Sequence, residues 1–345
     1  MSRINIKDIG PGRLESILSA MGEEPHRTGQ VMRWLWRKGA RTFDRMTDLS
    51  LDLRSRLSDT FFIPFLDIEG SLSSATDRSQ KFLLRCEDGE RIESVLMEAR
   101  GVYTVCVSTQ AGCPLGCTFC RTGRDGFRRN LRADEILDQV LIARKDRIPA
   151  GRRMNIVLMG MGDPLLNPEG VSRALRILNH PDGFSLGEKR ITLSTAGSPA
   201  RLGRLGSSGL KFSLAISLNA VDDGLRKRLM PRAAGVEETL DAAEGFARSR
   251  KGRVTVEYVL IAGVNDSVEE ARRLASLTSR RPFKINVIPF NEWEGSPFSR
   301  PSDEAVDRFV SALLPEAPAV TVRRSQGGGI GAACGQLRAR REDYE

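Results

Sequence analysis

Three of the six cysteines in this 345-residue chain fall within eight residues, in CPLGCTFC, as Cys113, Cys117 and Cys120. Cysteine binds metal or attacks as its thiolate. Three thiols so close together, among Gly, Pro and Thr, are ill suited to plain core packing. Two metal chemistries compete for the CxxxCxxC spacing. A structural zinc wants four ligands, commonly two CxxC pairs. Its fourth would have to come from Cys86, Cys106, Cys334, His26 or His180, none of them adjacent. An iron–sulfur cluster is held by thiolates, and three of them on a four-iron cube leave one iron free for a substrate or cofactor. The expectation is one open 4Fe-4S cluster per chain, with zinc as the alternative.

Other residues of chemical interest are ambiguous alone. Cys334 lies in QGGGIGAACGQL, Cys106 in YTVCVST and Glu93 in RIESVLM. Taken alone, Cys334 reads as readily as a small buried residue, whereas a packed core thiol is the default for Cys106 and an exposed strand carboxylate the default for Glu93. The GGGIG run has neither the spacing nor the strand–helix setting of a dinucleotide fingerprint. It reads as a flexible loop that could carry Cys334.

The elements that must position these residues follow from periodicity. The first sixty residues read as helices: LESILSAMG, then TGQVMRWLWRKG with Thr28 as N-cap and Gly39 as stop, then LDLRSRLSDTF. QKFLLRC, a turn at EDGE and RIESVLM read as a β-hairpin. After Tyr103 strand and helix alternate, with strands expected at 103–109, 155–160, 190–194, 211–218, 253–260 and 284–289 and a last strand-like AVTVRR. Repeated β-then-α units imply parallel strands with crossover helices. The fold class is α/β, a partial (β/α)6 TIM-like barrel, with a doubly wound sheet as runner-up. Expected boundaries are a helical accessory domain over 1–62, a hairpin region over 63–102 and the barrel over 103–345. Each barrel strand ends in Gly, Ser, Asn, Asp or Cys, on the rim where β/α barrels do chemistry.

Composition narrows the partners. Hydrophobic residues make up 40% and charged residues 28%, with a net charge of +9. That balance suits a globular protein with a polyanionic partner, since Lys and Arg displace counterions from phosphates. Arginines cluster with Phe127 in RTGRDGFRRNLR (121–132). No apolar run is long enough to span a membrane and no secretory signal opens the chain, so a cytoplasmic location is expected.

A resemblance sharpens this reading. CxxxCxxC after the first strand of a partial β/α barrel resembles the radical S-adenosylmethionine (SAM) enzymes. VCVSTQAGCPLGCTFCRTGRDGFRRNL, MGMGDPLLN, ITLSTAG, INVIPFN and AACGQL together resemble the RlmN/Cfr family of RNA methyltransferases over nearly the whole chain. The resemblance implies methylation of an adenosine in 23S rRNA, at C2 or, as the alternative, at C8, and in some members of an anticodon-adjacent adenosine in tRNA. A non-catalytic, zinc-containing RNA-binding protein is the rival from another class. The resemblance further implies two SAM molecules per turnover, an external one-electron donor such as flavodoxin and a monomer. SAM contacts carry over to Gly162, Asp163, Ser194, Ser217, Leu218, Asn219 and Asn291.

It also implies the roles of the isolated residues. Cys334 is methylated by one SAM. A radical from the second takes a hydrogen atom from that methyl group, and the carbon radical adds to adenine. The detour has a chemical reason, because electron-poor C2 would not attack a sulfonium methyl directly. Cys106 then attacks the Cys334 sulfur to release product as a disulfide forms, and Glu93 is the general base. The chain departs from the family pattern at Asp163, where Glu is usual, at Asn219, where His is usual, and at Gly328, Gly329 and Gly331, where acidic residues are common.

Overall fold

A computed structural model describes every residue other than 1, 2, 146, 150, 318 and 345. Ten strands form one continuous sheet: β1 (Asp67–Ser73), β2 (Gln80–Arg85), β3 (Arg91–Ala99), β4 (Val102–Cys106), β5 (Arg153–Leu158), β6 (Ile191–Thr195), β7 (Ser213–Ser217), β8 (Val254–Leu260), β9 (Phe283–Pro289) and β10 (Val320–Val322). They lie in the sheet in chain order. The first four pair antiparallel, and all pairs from β4 to β10 are parallel. A doubly wound sheet reverses its strand order at a switch point. This one never reverses, so successive right-handed crossovers set the helices on one face and the sheet curls as a partial barrel.

The helices are α1 (Gly10–Ala20), α2 (His26–Trp36), α3 (Leu51–Thr60), α4 (Arg121–Asp125), α5 (Ala133–Arg144), α6 (Pro168–Asn179), α7 (Pro199–Gly206), α8 (Asp223–Leu229), α9 (Val236–Ser249), α10 (Val268–Thr278) and α11 (Asp303–Leu313). Thr28 is not the N-cap of α2: Pro25 stands there and the helix starts at His26. Proline has its φ already set for a helix start, which moves the boundary back and leaves Thr28 buried inside. Gly39 follows the helix with a φ of +63°.

Leu14, Leu18, Val31, Leu35, Trp36, Leu53 and Leu57 of the first three helices belong to the same buried cluster as the barrel core. Polar bolts add to this apolar contact. Lys7 Nζ donates to Asp138 at 2.5 Å and to the Pro64 carbonyl, Asn5 to Asp134 and Arg33 to Asp182. The hairpin region continues the barrel sheet, because β3 pairs with β4. Both faces of β3 are covered, so Ile92 through Met97 are all buried without alternation. Among the described residues no helix is long and apolar enough to cross a membrane.

Candidate active site

CPLGCTFC forms a loop at the C-terminal rim, framed by a two-stranded antiparallel ribbon of Gln110–Gly112 and Phe127–Asn130. The ribbon closes tightly. Gly112 has a φ of +76°, and a Cβ there would lie 2.0 Å from the Gly126 carbonyl oxygen. Backbone bonds pin the loop outward to Leu229, through Thr118 N–H, and to Gly335, through Arg121 N–H. Trp293 Nε1 donates to the Phe119 carbonyl at 3.1 Å.

Cys113, Cys117 and Cys120 line one open cavity, of about 940 Å³ counted to its mouth, together with Gly162, Asp163, Ser194, Ser217, Asn219, Asn291 and Cys334. Three thiols around one cavity are the donor set of a 4Fe-4S cluster. Burial pushes the Cys113 thiol up to about 12, with Cys117 and Cys120 also raised, so a bound cationic group must stabilise the thiolates it needs.

Facing the thiols is backbone kept bare by glycine. Gly162 has a φ of +94°, and a Cβ there would meet Gln110 Cβ at 2.5 Å. The Asp163 carboxylate is used within the protein. It accepts from Leu165 N–H at 2.9 Å, Thr195 Oγ1 at 2.9 Å and Ala196 N–H at 2.8 Å, tying the end of β5 to that of β6. Burial raises its pKa, and these donors oppose the rise. Asn219 has a φ of +61°, a conformation Asn tolerates better than most residues. Its Oδ1 accepts from Val259 N–H at 2.8 Å, joining the ends of β7 and β8. Leu218 does not line the cavity. It is fully buried, and its carbonyl accepts from Arg226. Arg226, also buried, donates further to the carbonyls of Ala196, Ser217 and Ala234 and knits the ends of β6 and β7 to the loop between α8 and α9.

Cys334 stands where this cavity meets a smaller one lined by Cys106, Met97, Met159, Arg323 and Ala333. Its carbonyl accepts from Asn291 Nδ2 at 3.1 Å. Cys106 is buried, and burial pushes its thiol up to about 12, with the nearby Cys334 sulfur adding to the rise. Proximity to Cys334 raises the Arg323 pKa, ahead of the opposing effect of burial, with Glu257 and Cys106 adding to it. The disulfide implied for this pair is not formed, since all six cysteines are free. Nothing in the fold depends on it: Cys106 is fixed in a strand, and Cys334 is held by Asn291 at its own carbonyl and by Arg121 at that of the next residue, Gly335.

Glu93 lies outside both cavities, on the inner face of β3. It pairs with Lys81 at 3.0 Å and accepts from Tyr344 OH at 2.6 Å and Arg338 N–H at 2.8 Å. The sequence reading missed Lys81, Thr195, Arg226, Arg323 and Tyr344. Arg323 carried the usable signal, because it follows the last strand on the rim that holds the other candidates. The arginine cluster is partly spent. Arg129 binds Asp88 and Glu135, and Arg132 binds Asp134, while Arg124, Arg128 and Phe127 stay exposed.

Comparison with known proteins gives a consistent result. The model of the radical SAM superfamily matches residues 107–275, and that of the ribosomal RNA large subunit methyltransferase N-terminal domain matches residues 4–63. The dual-specificity RNA methyltransferase RlmN of Geobacter sulfurreducens is 44% identical over 339 residues, covering 98% of this chain and 92% of that one. The namesake from Geotalea uraniireducens is 42% identical over 342 residues, covering 99% and 98%. The crystal structure of a radical SAM methyltransferase from Sphaerobacter thermophilus superposes with a TM-score of 0.92 at 40% identity, covering 98% of this chain and all of that one. On identity sustained over almost the full length of both chains, this protein belongs to the RlmN family of the radical SAM superfamily.

Proposed function

We propose that this protein methylates C2 of an adenosine in 23S rRNA, and the anticodon-adjacent adenosine of tRNA, through a methyl group carried on Cys334. The observation that carries the reading is the position of Cys334, between the cavity of the three cluster cysteines and the one that holds Cys106. When bound, the 4Fe-4S cluster on Cys113, Cys117 and Cys120 and two SAM molecules per turnover supply the methyl group and the one-electron chemistry. Gly162, Ser194, Ser217, Asn219 and Asn291 line the space for SAM. Asp163 shapes that space by fixing the loops around it.

Cys334 must act first as a nucleophile, and Arg323 lines both cavities beside it. Asn291 holds the Cys334 backbone while the sulfur is methylated. Once the carbon bridges Cys334 and adenine C2, Glu93 takes the C2 proton. The Cys106 thiolate attacks the Cys334 sulfur, the bond from that sulfur to carbon breaks, the carbon keeps the electron pair and takes a proton to become the methyl group, and a disulfide remains for reduction. Arg124, Arg128 and Phe127, exposed beside the cluster loop, suit phosphate and base contacts. The helical domain over 1–62 adds to that RNA surface, the hairpin region over 63–102 carries the base, and 103–345 forms the catalytic core. The protein works as a monomer in the cytoplasm with an external one-electron donor such as flavodoxin.

The test is RNA modified in vitro from adenosine deuterated at C2 or at C8. Loss of C2 deuterium with gain of a methyl group is expected; loss of C8 deuterium refutes the C2 assignment. A colourless zinc protein from anaerobic purification, lacking cluster absorbance near ~400 nm, refutes the enzyme reading altogether.

A further inference from the structure

One buried charge in this core has no part in the scheme above. Lys81 on β2 and Glu93 on β3 pair at 3.0 Å with side chains 3% and 0% exposed. Lys81 lies opposite Val95, and Val95 lies opposite Cys106. Lys81, Val95 and Cys106 therefore form one row across three strands on the inner face. Glu93, two residues from Val95, shares that face one pleat away. An ammonium has three protons to donate. Lys81 directs one at Glu93 and another at the carbonyl of Gly331 at 3.4 Å, three residues before Cys334. Gly331 has a φ of +61°, and a Cβ built on it would meet Lys81 Nζ at 3.5 Å and no other heavy atom within 4 Å.

Stability alone is a weak reason for such an arrangement. Desolvating two ions costs several kcal/mol, and well-packed apolar residues often do as well or better. The pair joins two parts of the reaction instead: the carboxylate that receives a proton, and the loop that brings the carbon. We propose that Lys81 is a positioning residue that aims Glu93 while tethering the Gly327–Gly335 loop, so that base and methyl carrier arrive at the RNA in register. This rests on the reading of Glu93 as the base. In the step concerned the adenine C2–H bond breaks, the proton bonds to a Glu93 oxygen and the electron pair stays with the adenine. Lys81 makes and breaks no covalent bond.

The test compares wild type, Lys81→Met and Lys81→Arg with RNA deuterated at adenine C2. Lys81→Met is expected still to methylate Cys334, with any slowing far smaller than the fall in methylated RNA, and to form the covalent RNA adduct. The trapped adduct should keep its deuterium, and methylated RNA should fall on the order of 10²-fold, as for loss of general-base catalysis. Lys81→Arg, which keeps the charge, should recover part of the loss. Hydrogen exchange on metal-free protein gives a second readout, with faster exchange at residues 327–335 in Lys81→Met. Should that variant not fold, Lys81→Gln supplies the same comparison without the charge. Wild-type deuterium loss in Lys81→Met overturns the inference, as does a fall in Cys334 methylation that matches the fall in product. Wild-type protein that methylates no RNA refutes the proposed function instead. The exchange measurement still judges the tether in that case, and unchanged exchange at 327–335 overturns it.

Discussion

Asp163 stands where the family resemblance implies a cofactor contact, yet both of its oxygens are occupied by protein donors. Replacing it with alanine strands the Leu165 and Ala196 N–H groups, both in buried residues. Each orphaned donor costs about 1–3 kcal/mol. The Thr195 hydroxyl loses its acceptor as well. Against this, removing a carboxylate whose pKa burial has already raised recovers part of its desolvation. A net loss of about 2–4 kcal/mol follows. Asp163→Asn keeps one acceptor oxygen but turns an amide toward a donor, and should cost about half as much. Urea unfolding of the metal-free protein reads the stability, and SAM affinity of the reconstituted protein is measured separately. If Asp163→Ala unfolds at the wild-type urea concentration while SAM binding is lost, the carboxylate serves the cofactor and not the loops, and the reasoning fails.

Three other outcomes are expected. Breaking the buried Lys7–Asp138 pair with Lys7→Met or Asp138→Leu alone should cost about 3–5 kcal/mol, and the double variant much less; additive losses in a double-mutant cycle would show that the two do not interact. Burial lifts the Asp138 carboxyl from 3.8 to about 6, with Lys7 opposing. Between those pH values the folded state keeps a proton that the unfolded chain releases, so raising the pH favours unfolding. Asp138→Asn should remove this falling component from stability measured against pH, and an unchanged profile would count against it. Cys106→Ala should accumulate protein crosslinked to RNA, whereas Cys334→Ala should cleave SAM yet transfer no methyl; denaturing gels and mass spectrometry distinguish them, and a Cys106→Ala protein free of adduct removes the resolving role.

The features legible in the sequence are those written locally. The barrel strands show as short β-branched runs, and the cluster cysteines share one loop. Polar residues at strand ends were harder to sort, because two jobs use the same residue types. Asn167, Asp222 and Ser267 cap the helices that follow. Ser194, Ser217 and Asn291 face the cavity. Only packing separates the two groups. Leu218 reads like its neighbours but turns away, since the alternation of a strand end is not fixed until the next loop folds. The surroundings of Glu93 could be read only as far as the hairpin whose other arm carries Lys81. Its partners Arg338 and Tyr344 lie 245 and 251 residues away, and no local pattern records a meeting over that distance. The N-cap at Thr28 failed for a smaller reason, a proline that starts the helix earlier.

The single ten-stranded sheet has a consequence for the order of events in turnover. Cys106 and Glu93 sit on adjacent strands of it, and the cluster loop leaves its rim, so these three stations keep fixed distances from one another. On the proposed function, the reaction is then not timed by these stations opening and closing around the RNA, and the methyl carrier on Cys334 is the part that travels. A tether of a few glycines sets how far the loaded sulfur reaches and which station it visits next. The clock of the reaction is then a length of backbone, and adding or removing one glycine should change the sequence of visits before it changes any single chemical step.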